Sequence, residues 1–230
     1  MKAILVAVAA LAFAVSPFFV PFDGFDPNLY PVAQDNPPVQ PAGYAFSIWG
    51  LIYLWLLVHG GFGLLRRDTD AVWDRPRWPL FISLAVGASW LSVAQVSPVM
   101  ATILIWVMLV TALAALFRSK GPDRWLLQAP LSIYAGWLTA ASFVSLGLLG
   151  AGYGIGVEEV GWAWIALGAA LVFAAGIQMA LGQAPEYGLT VVWALVAVIV
   201  ANWGENTGIA LLAAAGAIGM ALLAFKNRTA

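Results

Sequence analysis

From Val99 to Phe117 no side chain carries a charge, and apolar runs of this length recur along the whole chain. A helix rises about 1.5 Å per residue, so roughly 20 such residues cross the hydrocarbon layer of a bilayer. Lipid offers no partner to backbone N–H and C=O groups, which leaves helices or a closed barrel as the only spanning forms. The runs are continuous where a barrel needs alternation, so the barrel is excluded. The chain reads as all-α, a polytopic transmembrane bundle of about eight helices. They run approximately from Ala3 to Phe22, Tyr44 to Leu65, Pro79 to Val96, Val99 to Phe117, Leu126 to Gly150, Val160 to Leu181, Tyr187 to Trp203 and Thr207 to Phe225. Composition agrees, since 63% of the 230 residues are hydrophobic and only 9% are charged.

Charge placement tests the count independently, because cytoplasmic loops collect Lys and Arg. Lys2 precedes the first run, and the loop after it carries Asp23, Asp26 and Asp35 but no base. The next connection holds Arg66, Arg67, Arg75 and Arg77, the Ser97-Pro98 turn is uncharged, and Arg118, Lys120 and Arg124 follow. Glu158 and Glu159 come next, and the tail ends with Lys226 and Arg228. This alternation predicts a multi-pass protein of the cell membrane with both termini cytoplasmic. Gly182 to Glu186 should be internal yet holds no base, and seven crossings would put the tail outside. Ala12-Phe13-Ala14 also fits a signal-peptide cleavage site, although the apolar stretch continues through Val20, long enough for a retained helix.

With a net charge of −1 and no basic block, nothing points to nucleic acid. The expected partners are the lipid bilayer and a small hydrophobic ligand, with a homodimer as one option. The absence of cysteine removes disulfides, thiol catalysis and iron–sulfur clusters. The one long loop, Asp23 to Ala42, contains Pro27, Pro31, Pro37, Pro38 and Pro41 and cannot be a helix. It reads as an external linker or as a lid over the outer mouth of the bundle.

Tryptophan in membrane proteins normally gathers at the two interfaces. Trp73, Trp78, Trp125, Trp162, Trp164 and Trp203 fall there by sequence position, but Trp49, Trp55, Trp90, Trp106, Trp137 and Trp193 lie inside their spans. Phe46, Trp49 and Tyr53 recur at helical spacing and share one face, as do Tyr134 and Trp137, while Trp55 points elsewhere. Gly87, Ala88, Gly136 and Ala140 are small enough for close helix approach. Such a stripe is either plain core or the wall of an apolar pocket. Pro130 removes a helical hydrogen bond and leaves the carbonyl near Leu126 to bend the helix or find another donor.

The stretch PAGYAFSIWGLIYLWLL, with Pro41, Phe46, Trp49 and Tyr53 in register, resembles the second helix of the TspO/MBR family of tryptophan-rich sensory, translocator-like proteins. RWLLQAPLSIYAGWLTAAS, with Tyr134, Trp137 and Ala141, resembles that family's fifth helix, and Leu84 to Trp90 its third. The chain departs from the family at Gly87 and Ser145, where the family has asparagine, and at Ile133, where it has proline. It also lacks the Trp-Tyr pair of the family's first loop. The resemblance covers residues 1–150, a five-helix bundle, and leaves residues 151–230 as three additional transmembrane helices. It implies a pocket closed by the first loop that binds hydrophobic ligands such as porphyrins and, in some members, sterols.

Chemistry beyond binding has little support. His59 stands alone without a second histidine at metal-ligand spacing, and Glu158-Glu159 begins a helix, where carboxylates suit the dipole. No nucleophile, acid/base pair or phosphate loop can be assembled, and no charge lies mid-span to mark a proton or ion path. The chain is therefore expected to be no enzyme, to need no metal or cofactor, and to hold a porphyrin or other tetrapyrrole-like ligand among Phe46, Trp49, Tyr53, Trp90, Tyr134 and Trp137. A sensory or regulatory role follows from that resemblance. The competing reading is a transporter or flippase of a lipophilic small molecule, to which the extra helices point.

Overall fold

The computed structural model describes residues 1–22 and 24–226. Asp23 and Arg228, which enter the charge pattern above, lie outside the described residues. Among the described residues eight helices are long and apolar enough to cross a membrane. They are α1 (Lys2–Phe19), α2 (Ile48–Leu65, preceded by a 3-10 turn over Gly43–Ser47), α4 (Arg77–Ala94), α5 (Pro98–Phe117), α6 (Arg124–Gly152), α7 (Glu159–Leu181), α8 (Pro185–Asn202) and α9 (Thr207–Lys226). One short helix, α3 (Ala71–Asp74), lies between α2 and α4 and was not expected from the sequence, because four polar-flanked residues carry no periodicity. The widest boundary differences are at α2, whose α-helical part starts at Ile48 because Gly43–Ser47 winds as a 3-10 turn, and at α1, which stops at Phe19 because Val20 is extended and Pro21 has no N–H to continue it.

The architecture is organised around α6, which packs against α2, α5, α7 and α8. With 72% of its apolar window buried, it is the most enclosed span. The pairs α4–α5 and α8–α9 form tight hairpins, and α1 packs on α2 and α4. Small residues set these approaches, as the sequence indicates. A Cβ on Gly136 would stand 2.6 Å from the Tyr187 carbonyl oxygen, so α6 and α8 meet backbone to backbone. Beside that contact the hydroxyls of Thr139 and Tyr187 lie 3.0 Å apart and satisfy each other in the dry interior.

The helix ends sort into two faces. One carries every described Lys and Arg, with Lys2 paired to Asp74, Arg67 to Asp123 and Arg124 to Glu186. The other carries the proline-rich loop, the Ser97-Pro98 turn and the α7 and α9 starts.

The basic face is closed by a network built on the interrupted ladder of α6. Pro130 lies inside the helix, and the freed Leu126 carbonyl accepts from Nδ1 of the buried His59 at 2.8 Å. Because a carbonyl only accepts, His59 carries its proton on Nδ1. One residue earlier, the Trp125 carbonyl accepts from the Trp55 indole at 2.8 Å, which is where the off-stripe ring of α2 goes. His59 in turn stacks on Trp73, with centroids 5.0 Å apart. Trp73 is therefore no interfacial anchor: it is 2% exposed, and its indole donates to Asp123 at 2.8 Å. Trp78, Trp125 and Trp203 remain exposed at the helix ends, as belt residues should. Arg77, only 4% exposed, donates to the carbonyls of Gly63, Arg67 and Asp68, a cation seated on the carboxyl end of α2.

Two predictions follow from this face. His59→Phe strands the Leu126 carbonyl and is expected to cost about 1–3 kcal/mol. In a Pro130→Ala background the helix supplies its own donor, and the double-mutant cycle in detergent should show most of that cost gone. Asp123 is held below the usual carboxylate range by hydrogen bonds from Arg67 and then Trp73. A depressed folded pKa stabilises above the unfolded value, about 4, and that stabilisation is lost as pH falls through the lower folded value. The melting temperature should therefore drop on acidification below about pH 4, and this component should vanish in Asp123→Asn.

Candidate functional site

Rings from four elements meet in the acidic-face half of the bundle. Phe46, on the turn before α2, and Trp49 and Tyr53, on α2, share the expected face; Trp49 and Tyr53 stack with centroids 5.2 Å apart. Trp137 on α6 meets Phe46 at 5.9 Å and Trp49 at 6.2 Å, both edge to face. Trp90 on α4 is fixed by its indole, which donates to the Ala101 carbonyl at 2.8 Å. Tyr134 is wholly buried, and its hydroxyl lies 2.9 Å from that of Ser83, which donates to the Met108 carbonyl. Edge-to-face and offset geometry contributes about 0.5–1.5 kcal/mol per pair beyond burial, so the cluster is rigid as well as apolar.

The six expected rings come together through residues that the sequence reading did not single out. Phe13 on α1 contacts Trp49, Tyr53 and Tyr134 at 5.6, 5.0 and 5.8 Å. Phe22 joins Phe46 at 6.4 Å and Trp90 at 5.1 Å. A signal for Phe13 was available: Val6, Ala9, Ala10 and Phe13 recur at helical spacing, and all four are buried. Phe22 carries no such signal, because it follows the end of α1.

Two cavities open against this cluster. The first, of about 150 Å³, is lined by Phe13, Phe46, Trp49, Tyr53 and Trp90 among others. The second, of about 90 Å³, lies towards α7 and α8, between Trp137, Phe143, Leu171 and Val191. Phe22, Phe46, Trp90 and Ile105 line both and form the partition. Tyr134 lines neither; it is a supporting ring behind the wall.

The proline-rich loop covers these cavities as a packed lid. Tyr30, Gln34 and Val39 are buried, and Val39 seats against Gly147, where a Cβ would lie 2.9 Å from it. Tyr30 covers Gly152 in the same way, and the Val32 N–H donates to the Gly152 carbonyl at 2.9 Å. Further along, Ala42 N–H donates to the Ala197 carbonyl at 3.0 Å, and the Asn202 amide donates to the Pro38 carbonyl at 2.9 Å. Burial pushes the Tyr30 phenol up from its ordinary pKa, with a smaller contribution from Tyr153. Among the described residues no group of three or more His, Asp or Glu side chains is placed to hold a metal ion.

A ring-lined cavity under a first-loop lid in a helical bundle is what the resemblance implies, and a family model decides the matter: the model for TSPO-like protein matches residues 3–226. The chain belongs to the TSPO-like family. The match takes in α7, α8 and α9 together with the earlier helices. Comparison with curated proteins and with solved structures gives no match. In this TSPO-like chain Gly87, which departs from the family asparagine, is what admits Phe13: a Cβ there would stand 2.8 Å from the Phe13 ring. Gly87→Ala should push Phe13 off Trp49 and Tyr53, lowering stability by about 1–3 kcal/mol. Near-ultraviolet circular dichroism should change with it, whereas Gly50→Ala, with open space around it, should leave the aromatic spectrum unchanged.

Proposed function

We propose that this membrane protein binds a flat hydrophobic ligand, a porphyrin or other tetrapyrrole-like molecule, among Phe46, Trp49, Tyr53, Trp90 and Trp137, and that it serves a sensory or regulatory role. The observation that carries the reading is the pair of aromatic cavities, about 150 and 90 Å³, separated only by side chains and lying under one lid. Pockets for ligands of this size usually measure about 300–1,000 Å³ and are mostly apolar. A tetrapyrrole therefore requires Phe22 and Phe46 to rotate aside, giving up their edge-to-face contacts, so that the two spaces join beside the fixed Trp90. Burial drives binding and stacking orients the ring plane, so neither a resident metal nor a catalytic group is called on. The excess of Lys and Arg on the Arg67 face makes that face cytoplasmic, with both termini there.

Transport of a lipophilic molecule is the competing reading. It requires a second opening on the basic face, where Arg67, Trp73, Arg77 and Asp123 are tied together. That closure favours retention of ligand over passage.

Titrating the purified protein with a porphyrin that lacks carboxylate groups should quench tryptophan fluorescence. Trp49→Ala combined with Trp137→Ala should weaken the affinity at least about tenfold, the scale of losing two stacked contacts. Unchanged affinity in the double variant would sink the pocket. In reconstituted vesicles stoichiometric retention supports binding, and many turnovers per protein support transport.

A further inference from the structure

Above the ring cluster lies a third space of different chemistry. It is an open vestibule of about 390 Å³ whose lining includes Asp26, Gln34, Asp35, Asn36, Gln40 and Gln95. Gly24, Phe25 and Gln40 line both this vestibule and the apolar cavity beside Trp137, so the two spaces share a wall. Gly24 suits that wall: its φ of +132° is backbone that a side chain rarely adopts.

Gln34 is the informative member. It is 5% exposed, and its amide nitrogen is committed to the backbone carbonyls of Val32 and Ala33 at 3.1 and 3.4 Å. Its Oε1 is buried with no partner. A buried amide oxygen without a donor costs about 1–3 kcal/mol, so an acceptor left in this state invites a donor from outside. Asp26 turns one carboxylate oxygen to Asn28, and Asp35 is exposed beside Gln34. Every charged residue described at this end of the bundle is an acid: Asp26, Asp35, Glu158, Glu159 and Glu205. No described Lys or Arg lies on this face to meet an anion.

We infer that the vestibule is a head-group site that selects, among flat apolar molecules, those bearing a cationic or hydrogen-bond-donating group and rejects those bearing carboxylates. The assignment rests on the aromatic pocket proposed above: the apolar body enters between Phe46, Trp90 and Trp137, and the polar end stays among Asp26, Gln34 and Asp35. Carboxylate side chains on a tetrapyrrole would face acids with no counter-charge, and like-charge juxtaposition is how interfaces exclude wrong partners. An ammonium or amino group meets two carboxylates, and a turn of the Gln34 side chain brings its unpartnered oxygen to the same group.

Three probes that share a pyrene body and butyl linker separate head from body: a primary ammonium, a methyl terminus without a polar head, and a carboxylate. Binding is read as energy transfer from tryptophan to pyrene, with the protein in phosphatidylcholine nanodiscs at neutral pH and empty discs subtracted. The ammonium should bind at least about tenfold more tightly than the carboxylate, as expected for a head group held near two partly solvated charges. In the double variant Asp26→Asn/Asp35→Asn that ratio should fall below about threefold, while the methyl-terminated probe, which makes no head-group contact and is the control for an intact fold, keeps its affinity. A carboxylate that binds as tightly as the ammonium, or a preference that survives in the double variant, overturns the head-group assignment. If the methyl-terminated probe then still binds and is weakened by Trp49→Ala, the aromatic pocket stands without it. Failure of all three probes to bind overturns both.

Discussion

A carbonyl oxygen in hydrocarbon must find a donor or cost several kcal/mol, and in this bundle Pro130 creates such an oxygen in the helix on which the others are assembled. His59 answers it from α2. The imidazole is held in place by Trp73, Trp73 by Asp123, and Asp123 by Arg67, so one missing N–H organises the contacts of α2, α3 and the α5–α6 connection. The helix that carries this interruption also carries Tyr134 and Trp137, one and two turns further on. The defect and the aromatic wall are thus positioned by the same helix.

The two ends of the molecule solve opposite problems. At the basic face, ion pairs and a buried guanidinium hold the helices together. At the acidic face, rings supply rigidity but little polarity, and the cover is a loop whose prolines restrict its backbone. Stacked and edge-to-face rings keep their geometry without sealing the space between them, which is why the cavities lie here.

Much of this was legible in the sequence. Lipid forces each crossing to be a complete helix, so continuous apolar runs locate all eight spans, and the orphaned Leu126 carbonyl follows from Pro130 alone. The ring stripes were legible because Phe46, Trp49 and Tyr53 obey a period that lies within one segment. What joins them was not. Phe13 and Phe22 enter from an earlier helix and its exit, and which helix faces which depends on packing register across the whole bundle. Trp73 was misplaced at an interface because its sequence position near a helix end says nothing about an aspartate fifty residues away. Tyr134 was placed in the pocket by its period, yet a single rotation of α6 decides whether a ring lines a space or backs it. Gln34, in a loop without periodicity, gave no sign that its amide would be buried.

The lid is anchored less to the helices it connects than to α8. Ala197 and Asn202 fasten it near one end of that helix, and Glu186, at the other end, grips Arg124 at 2.6 Å. A helix of 18 residues is about 27 Å long and stiff along its axis. Backed against α6 at Gly136, it acts as a strut with one foot on each side of the membrane. Lifting the cover and loosening the Arg124–Glu186 clamp then become two views of one displacement, which gives events above the bilayer a mechanical route to the side below.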